Sequence, residues 1–368
     1  LRTWPGARAL IAARGEIPAR LGRAALLRVA PGRGDTVGFN PLLAIRGGAH
    51  AWADARRLAS ALLSADRACG EDATIDAFAL LMLDQLLCAP LEARALADVR
   101  RRLIEPPALV ADLCARWAKP PAGDAAPAIW EMARAARTLR AAPDQAVARY
   151  GLIDQALAAF AEPGLAHATG AYHLNLAHFV SAGPPRTLAL SMENISSAAM
   201  APLVQGVLAQ LAALHARAGA AADLVVAVEA EAAQILAEHA KQPLPVSPRA
   251  RAVVQAGDIS HAQRLARETD SLGAVVAIGP QNKRSADALS ALGGRCATYA
   301  PIPHRIPRWR DLLFPTWVAH EAERLPAEAL KTAAADQAFL VAADQKPVRM
   351  NVLVGGGASR YLATAQPA

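Results

Sequence analysis

The hydrophobic positions change their period twice along the chain. From Leu1 to about Ile45 they form short runs, "ARALIAA" and "AALLRVAP", the second closed by Pro, so strand, turn and strand are predicted. "RGEIPARLG" between them reads as a short helical connection. From Trp52 to roughly Ala161, apolar residues recur at three- and four-residue spacing, as in Leu103, Leu109, Leu113 and Trp117. Pro opens successive segments there ("EPPALV", "APAIW", "APDQA"), and "KPPAGDAAP" reads as a surface loop, so several helices are predicted. After "EPGLAHATGAYHLNLAHFVSAGPP" a β/α rhythm returns. "RTLALSM", "ADLVVAVEAE", "ARAVVQAG" and "GAVVAIGP" are apolar strands, with helices predicted at Ala198–Arg217, "DISHAQRLARETD" and "KRSADALSALGG". "DQAFLVAADQKPVRMNVLV" closes the chain as two strands joined by a turn at "AADQKP".

Strands apolar on both faces and separated by helices predict a mainly parallel sheet covered by helices, an α/β fold. The changes of texture divide it into residues 1–50 (the first part of an α/β domain), 51–161 (an all-α insert) and 162–368 (the remainder of the α/β domain).

Composition narrows this only modestly. Hydrophobic residues make up 54% and charged residues 19% of the 368, so the chain is globular. The net charge of +7 admits a weak preference for polyanions, but the abundance of Arg, Ala and Pro fits a general compositional bias as well. Cys69, Cys88, Cys114 and Cys296 lie far apart, so neither a zinc site nor a disulfide framework follows, and buried free thiols are expected. No metal-ligand pattern is present. His173 and His178, five apart, do not share one helical face and read as structural. The charge-free run Asn194 to Ala216 carries Asn, Ser, Gln and Pro, and its Leu and Val residues recur at helical spacing, which predicts an amphipathic core helix and a soluble chain.

Several segments, taken in order, resemble the type IV secretion coupling proteins, the TraG/TraD-type conjugative transfer ATPases. "WPGARALIAARGEI" resembles the family's Trp-Pro-Gly turn, strand and Asp-Pro-Lys-Gly-Glu, with Gly15 and Glu16 kept and Ala12, Ala13 and Arg14 replacing Asp-Pro-Lys. "LLRVAPGRGDTVGFNPLLAIR" resembles the strand and Phe/Tyr-Asn-Pro-Leu that precede its all-α domain. "PRTLALSMENISSAAMAPLVQGVLAQL", "AIGPQNKRSADALSALGG" and "LPAEALKTAAADQAFLVAADQKPVRMNVL" resemble later segments.

The resemblance implies a RecA-like, P-loop NTPase-type motor that binds ATP and Mg²⁺ between the subunits of a homo-hexamer. It also implies an assembly at the cytoplasmic face of the bacterial inner membrane that hands a relaxase/DNA substrate to the type IV secretion machinery. Such chemistry needs backbone amides and a Lys around the phosphates, Asp for Mg²⁺ and Glu to orient water. No Gly-x-x-x-x-Gly-Lys-Ser/Thr occurs. By family order it would precede "LRTWPG", so it lies upstream of Leu1 or has been lost. Where the family's acidic strand ends in Asp-Glu, Val228 and Glu229 stand here, and a Val cannot hold Mg²⁺. Glu229 is the candidate catalytic acid, acting on water, or else a strand-end acid facing solvent. Gln255, closing "ARAVVQ", takes the place of the family's Gln near the γ-phosphate, and with Gly15 and Glu16 it forms the candidate nucleotide-binding set. Weakened or lost hydrolysis is therefore expected, and a non-catalytic scaffold or substrate-docking paralogue is the alternative. DNA contact through Arg100–Arg102 is one reading of "ADVRRRLIEPP"; a solvated helix face is the other.

"TVGFNPLLAIRGG" (Thr36–Gly48) reads as a joint between sheet and insert. Asn40 is pushed to an extended conformation by Pro41, and Leu42, Leu43 and Ile45 pin the turn to the core. Gly47–Gly48 free the chain before the helix at Trp52.

Overall fold

The computed structural model describes residues 7–13, 26–31, 36–63, 72–119, 126–170, 173–181, 186–192, 197–218, 224–239, 250–254, 275–278, 280–301, 317–334, 337–341, 347–351 and 364–367. The chain divides into two compact units, Leu1–Gly257 and Asp258–Ala368.

The first unit is organised on β1 (Arg8–Ala12), β2 (Leu26–Val29), β3 (Thr187–Ser191), β4 (Leu224–Val228) and β5 (Ala250–Val254). They form one sheet in the order β2-β3-β1-β4-β5, and every pairing is parallel. β3, buried along its length, and β4, buried at all but one position, have no polar face to offer, as a parallel sheet covered on both sides requires.

Between β2 and β3 the chain is helical. It passes through α1 (Ala51–Leu63), α2 (Asp72–Cys88), α3 (Leu96–Arg101), α4 (Pro106–Trp117), α5 (Pro127–Ala141), α6 (Pro143–Leu157), α7 (Pro163–Gly170) and α8 (Leu176–Ser181). Pro106, Pro127 and Pro143 open α4, α5 and α6, where the missing N–H is one that a helix start leaves unpaired anyway. α2 is apolar nearly all round, with Ala77 to Leu83 buried without a break, and α1, α5 and α6 pack against it. Its one ionic group inside, Asp84, is fully buried. It is met by Arg102 at 2.7 Å, Arg116 at 2.6 Å and the Trp117 Nε1–H at 2.7 Å, which tie α2 to α4 and to the 3-10 turn before it.

α9 (Ser197–Ala218) follows β3, and α10 (Ala230–His239) follows β4. The amphipathic character expected of α9 is not what the structure shows. Residues 200–212 are buried on every side, because α1, α8, α10 and β5 all pack against the helix. Its polar groups are used inside: the Gln210 Nε2–H donates to the Pro41 carbonyl at 3.1 Å. Among the described residues, no helix is long and apolar enough to cross a membrane.

The joint takes the form expected of it, with additions. Asn40 is extended (φ −94°, ψ 111°), its Oδ1 accepts the Leu42 N–H, and Pro41–Ala44 is a 3-10 turn. Leu42 and Ile45 are buried, whereas Leu43 is only half-buried. The Asn40 Nδ2–H reaches the Arg94 carbonyl at 2.7 Å. The far end of the helical stretch returns to the same strand exit: the Phe39 N–H donates to Ala168 and the Leu174 N–H to Gly38, at 2.7 and 3.2 Å. His173, read as structural, accepts the Gly38 N–H at Nδ1.

The second unit contains β6 (Val275–Ile278), α11 (Lys283–Gly293), β7 (Arg295–Pro301), β8 (Trp317–Glu323), α12 (Ala327–Lys331), β9 (Gln337–Val341), β10 (Val348–Asn351) and β11 (Thr364–Pro367). β6 departs from the expectation of a strand in the parallel sheet: it pairs antiparallel with β9, which pairs antiparallel with β10, and β10 with β11. An apolar run reports burial, not direction, and β6's partner lies some sixty residues downstream. The β9–β10 hairpin is as expected; the β7–β8 hairpin was not legible. α11 starts on Asn282, whose side chain accepts the Ser285 N–H, and packs Ala286 and Leu289 into a core with Ala277, Leu330, Phe339 and Val341.

Candidate functional site

The parallel strands of the first unit all end on one edge, where open α/β sheets bind their ligands. Backbone register aligns Leu190, Ile11, Val228 and Val254 across β3, β1, β4 and β5. Val228, 2% exposed, completes this apolar row. The Val-for-Asp departure is therefore built into the packing.

One residue on, the chain turns from strand to helix at Glu229. Its N–H donates to the Ile11 carbonyl at 3.0 Å, and its carbonyl accepts the Ala233 N–H at 2.7 Å as α10 begins. Its side chain reaches back across the edge, and Oε2 accepts the Ala13 N–H at 3.1 Å. The half-buried carboxylate thus extends the β1–β4 ladder by one bond past the last backbone pair, at the positive end of α10. Glu229 is a strand-end acid, but one that holds the exit of β1 and does not simply face solvent. Ser191, fully buried, lies at the same edge opposite Ala12, and the Met192 N–H donates to the Ala12 carbonyl at 3.0 Å. Ser191 was not singled out from the sequence, since a Ser at a strand end carries no pattern.

Of the other candidates, Gly15, Glu16 and Gln255 lie outside the described residues, and so does the "RGEIPARLG" connection. Val254, the last described residue of β5, pairs in register with Val228. Among the described residues, no three His, Cys, Asp or Glu side chains gather as a metal site. Of the cysteines expected to be buried, Cys88 is exposed and Cys114 half-buried, both free, because each lies near the end of its helix, where packing thins.

The basic run Arg100–Arg102 is neutralised within the fold. Arg100 Nε meets Asp154 at 3.0 Å, Arg101 pairs with Asp98, and Arg102 meets Asp84 and the Gln85 side chain. A backbone phosphate there would have to compete with carboxylates already in place, which argues against the DNA-contact reading of this run.

No family model matches the chain, and no curated protein matches it in sequence. Solved structures do match. The unbound monoclinic form of the bacterial conjugative coupling protein TrwBdeltaN70 superimposes with a TM-score of 0.64 at 10% identity, over 95% of this chain and 78% of that one. The plasmid coupling protein TrwB in complex with ADP and Mg²⁺ gives 0.60 at 12% identity, over 98% and 82%. TrwB with a non-hydrolysable ATP analogue gives 0.60 at 13% identity, over 97% and 81%. At such identities the likeness is one of architecture: the chain is built on the RecA-like α/β fold of the conjugative coupling protein TrwB.

Proposed function

We propose that this protein is a coupling-protein-like component of a type IV secretion or conjugative transfer system, a RecA-like domain whose own ATP hydrolysis is weak or lost. The observation that carries the reading is the strand edge at Val228–Glu229 within a fold like that of TrwB over nearly the whole chain. TrwB has been seen with ADP and Mg²⁺; in this chain, ATP and Mg²⁺ would meet an edge at which the Mg²⁺ carboxylate is replaced by a buried Val. Glu229, the acid that would orient water, has one oxygen committed to the Ala13 N–H. Gly15, Glu16 and Gln255 complete the proposed nucleotide set, with 51–161 as the inserted all-α domain. On this reading the assembly is a hexamer serving a relaxase/DNA substrate at the inner membrane.

The second reading, a non-catalytic scaffold or substrate-docking paralogue, is favoured by the same two departures. Nucleotide binding by the full-length protein, with and without Mg²⁺, separates them. Binding that Mg²⁺ barely strengthens supports the weakened motor; no binding to either form leaves only the scaffold.

A further inference from the structure

The ladder between β1 and β4 has a regular beat. The Val225 N–H donates to the Ala7 carbonyl at 3.1 Å, and four residues on in both strands the Glu229 N–H donates to the Ile11 carbonyl at 3.0 Å. In a parallel pair the next bond would run from the Ala13 N–H to the Glu229 carbonyl. That carbonyl is already taken, because it accepts the Ala233 N–H at 2.7 Å as α10 begins. The turn from strand to helix therefore removes the ladder partner of the Ala13 donor.

The Glu229 side chain supplies the substitute: Oε2 accepts the Ala13 N–H at 3.1 Å. On the other side of β1 the Ala12 carbonyl accepts the Met192 N–H at 3.0 Å, so both flanks of the strand's exit are tied. Ala13 is 7% exposed, and an unpaired donor there would cost free energy. The bond asks for an acceptor with the reach of Glu or Gln; Asp is one methylene shorter. It does not ask for a negative charge, since the Gln side-chain carbonyl accepts equally well. An acid that orients and activates water has the opposite requirement, because there the charge is what acts.

We infer that Glu229 is a positioning residue. Through the Ala13 N–H it holds the exit of β1, from which the chain runs on to Gly15 and Glu16, two and three residues further, and it keeps that exit ordered for a nucleotide. An exit already clasped needs no ordering at the moment of binding. The inference rests on the nucleotide reading proposed above and gives Glu229 a different task within it.

Glu229→Gln, Glu229→Ala and Glu229→Asp in the full-length protein test this with two measurements: hydrogen exchange at the Ala13 amide, and ADP affinity by titration calorimetry in the presence of Mg²⁺. The Ala13 amide should exchange slowly in the parent and the Gln variant, and fast in the Ala and Asp variants. ADP binding should stay within about twofold of the parent in the Gln variant and weaken about tenfold in the other two, the weight of ordering one backbone residue on binding. Fast exchange in the Gln variant, or slow exchange in the Ala variant, overturns the clasp. Exchange as expected with equal ADP affinity in all four proteins reduces the bond to a structural one and overturns the positioning role. A Gln variant that binds ADP like the parent but loses ATP turnover as the Ala variant does overturns it in favour of a water-orienting acid. No ADP binding by the parent removes the nucleotide reading itself and the positioning role with it, a result distinct from the other three because it precedes any substitution.

Discussion

Two polar side chains, Asn40 and Asp84, join separate parts of the helical stretch. Asn40 uses both ends of its amide, accepting the Leu42 N–H and donating to the Arg94 carbonyl, so it fastens the strand exit to the segment before α3. Asn40→Ala should cost about 1–2 kcal/mol by loss of the cap and of one buried bond, read as a lower urea midpoint. Asp84 carries the second junction. Burial raises its pKa, but the hydrogen bonds from Trp117, Arg116 and Arg102 outweigh that and hold the carboxyl below the usual carboxylate range. Its folded pKa is thus depressed relative to about 3.9 in the unfolded chain. The stability it contributes is complete above the unfolded value and is lost as pH falls through the folded one. Asp84→Asn should flatten the acid limb of the stability profile below about pH 4, seen in urea midpoints followed down from neutrality. At neutral pH it should cost about 2 kcal/mol, less than a fully buried pair would, because Arg102 and Arg116 stay partly in water.

At the scale of elements, α9 decides how the helical stretch meets the sheet. Gly206 is the point of closest approach to α1: a Cβ there would stand 3.0 Å from the Leu58 Cδ1. Gly206→Ala trades gained helix propensity against a side chain that must shift by a few tenths of an ångström. Gly206→Val has no such balance and should destabilise by about 1–3 kcal/mol through overpacking. Thermal unfolding of the two variants side by side checks this, with the Val variant clearly the lower. The helices themselves were legible because Pro at N1 and the three-and-four spacing are local signals. Leu103, Leu109 and Leu113 are buried as that spacing implied and Trp117 is half-buried, although Leu103 stands in a 3-10 turn before α4. The Asp84 cluster and the Arg217 contact to Asp54 were not legible, because those arginines lie outside the helix of their aspartate and no spacing rule links them.

For the whole molecule, the decisive question is whether the strand edge still answers to a nucleotide. Val228→Asp in the full-length protein would put a carboxylate into the apolar row of Leu190, Ile11 and Val254. Without ligand it should lower the melting temperature, since a buried unpaired carboxylate is costly. If the edge is a weakened motor site, Mg²⁺ with ATP should recover that loss and raise turnover by about a hundredfold, the usual weight of one preorganised electrostatic group. A scaffold would show the loss of stability and no recovery.

The apolar strands of the parallel sheet, the Pro-started helices and the joint at Thr36–Gly48 follow from the sequence by itself, since periodicity and turn chemistry act between near neighbours. So do the replacement at Val228 and the ordered resemblance to the coupling proteins, which need only residue identity and order. Three matters were left to the tertiary structure: that β6 runs antiparallel beside β9, that Glu229 spends an oxygen on the Ala13 N–H, and that Arg217 pairs with Asp54. β6 and β9, Glu229 and Ala13, and Arg217 and Asp54 each lie some sixty or more positions apart in the chain, joined by hydrogen bonds or charge pairing at a few ångströms. Only the folded packing sets distances of that kind.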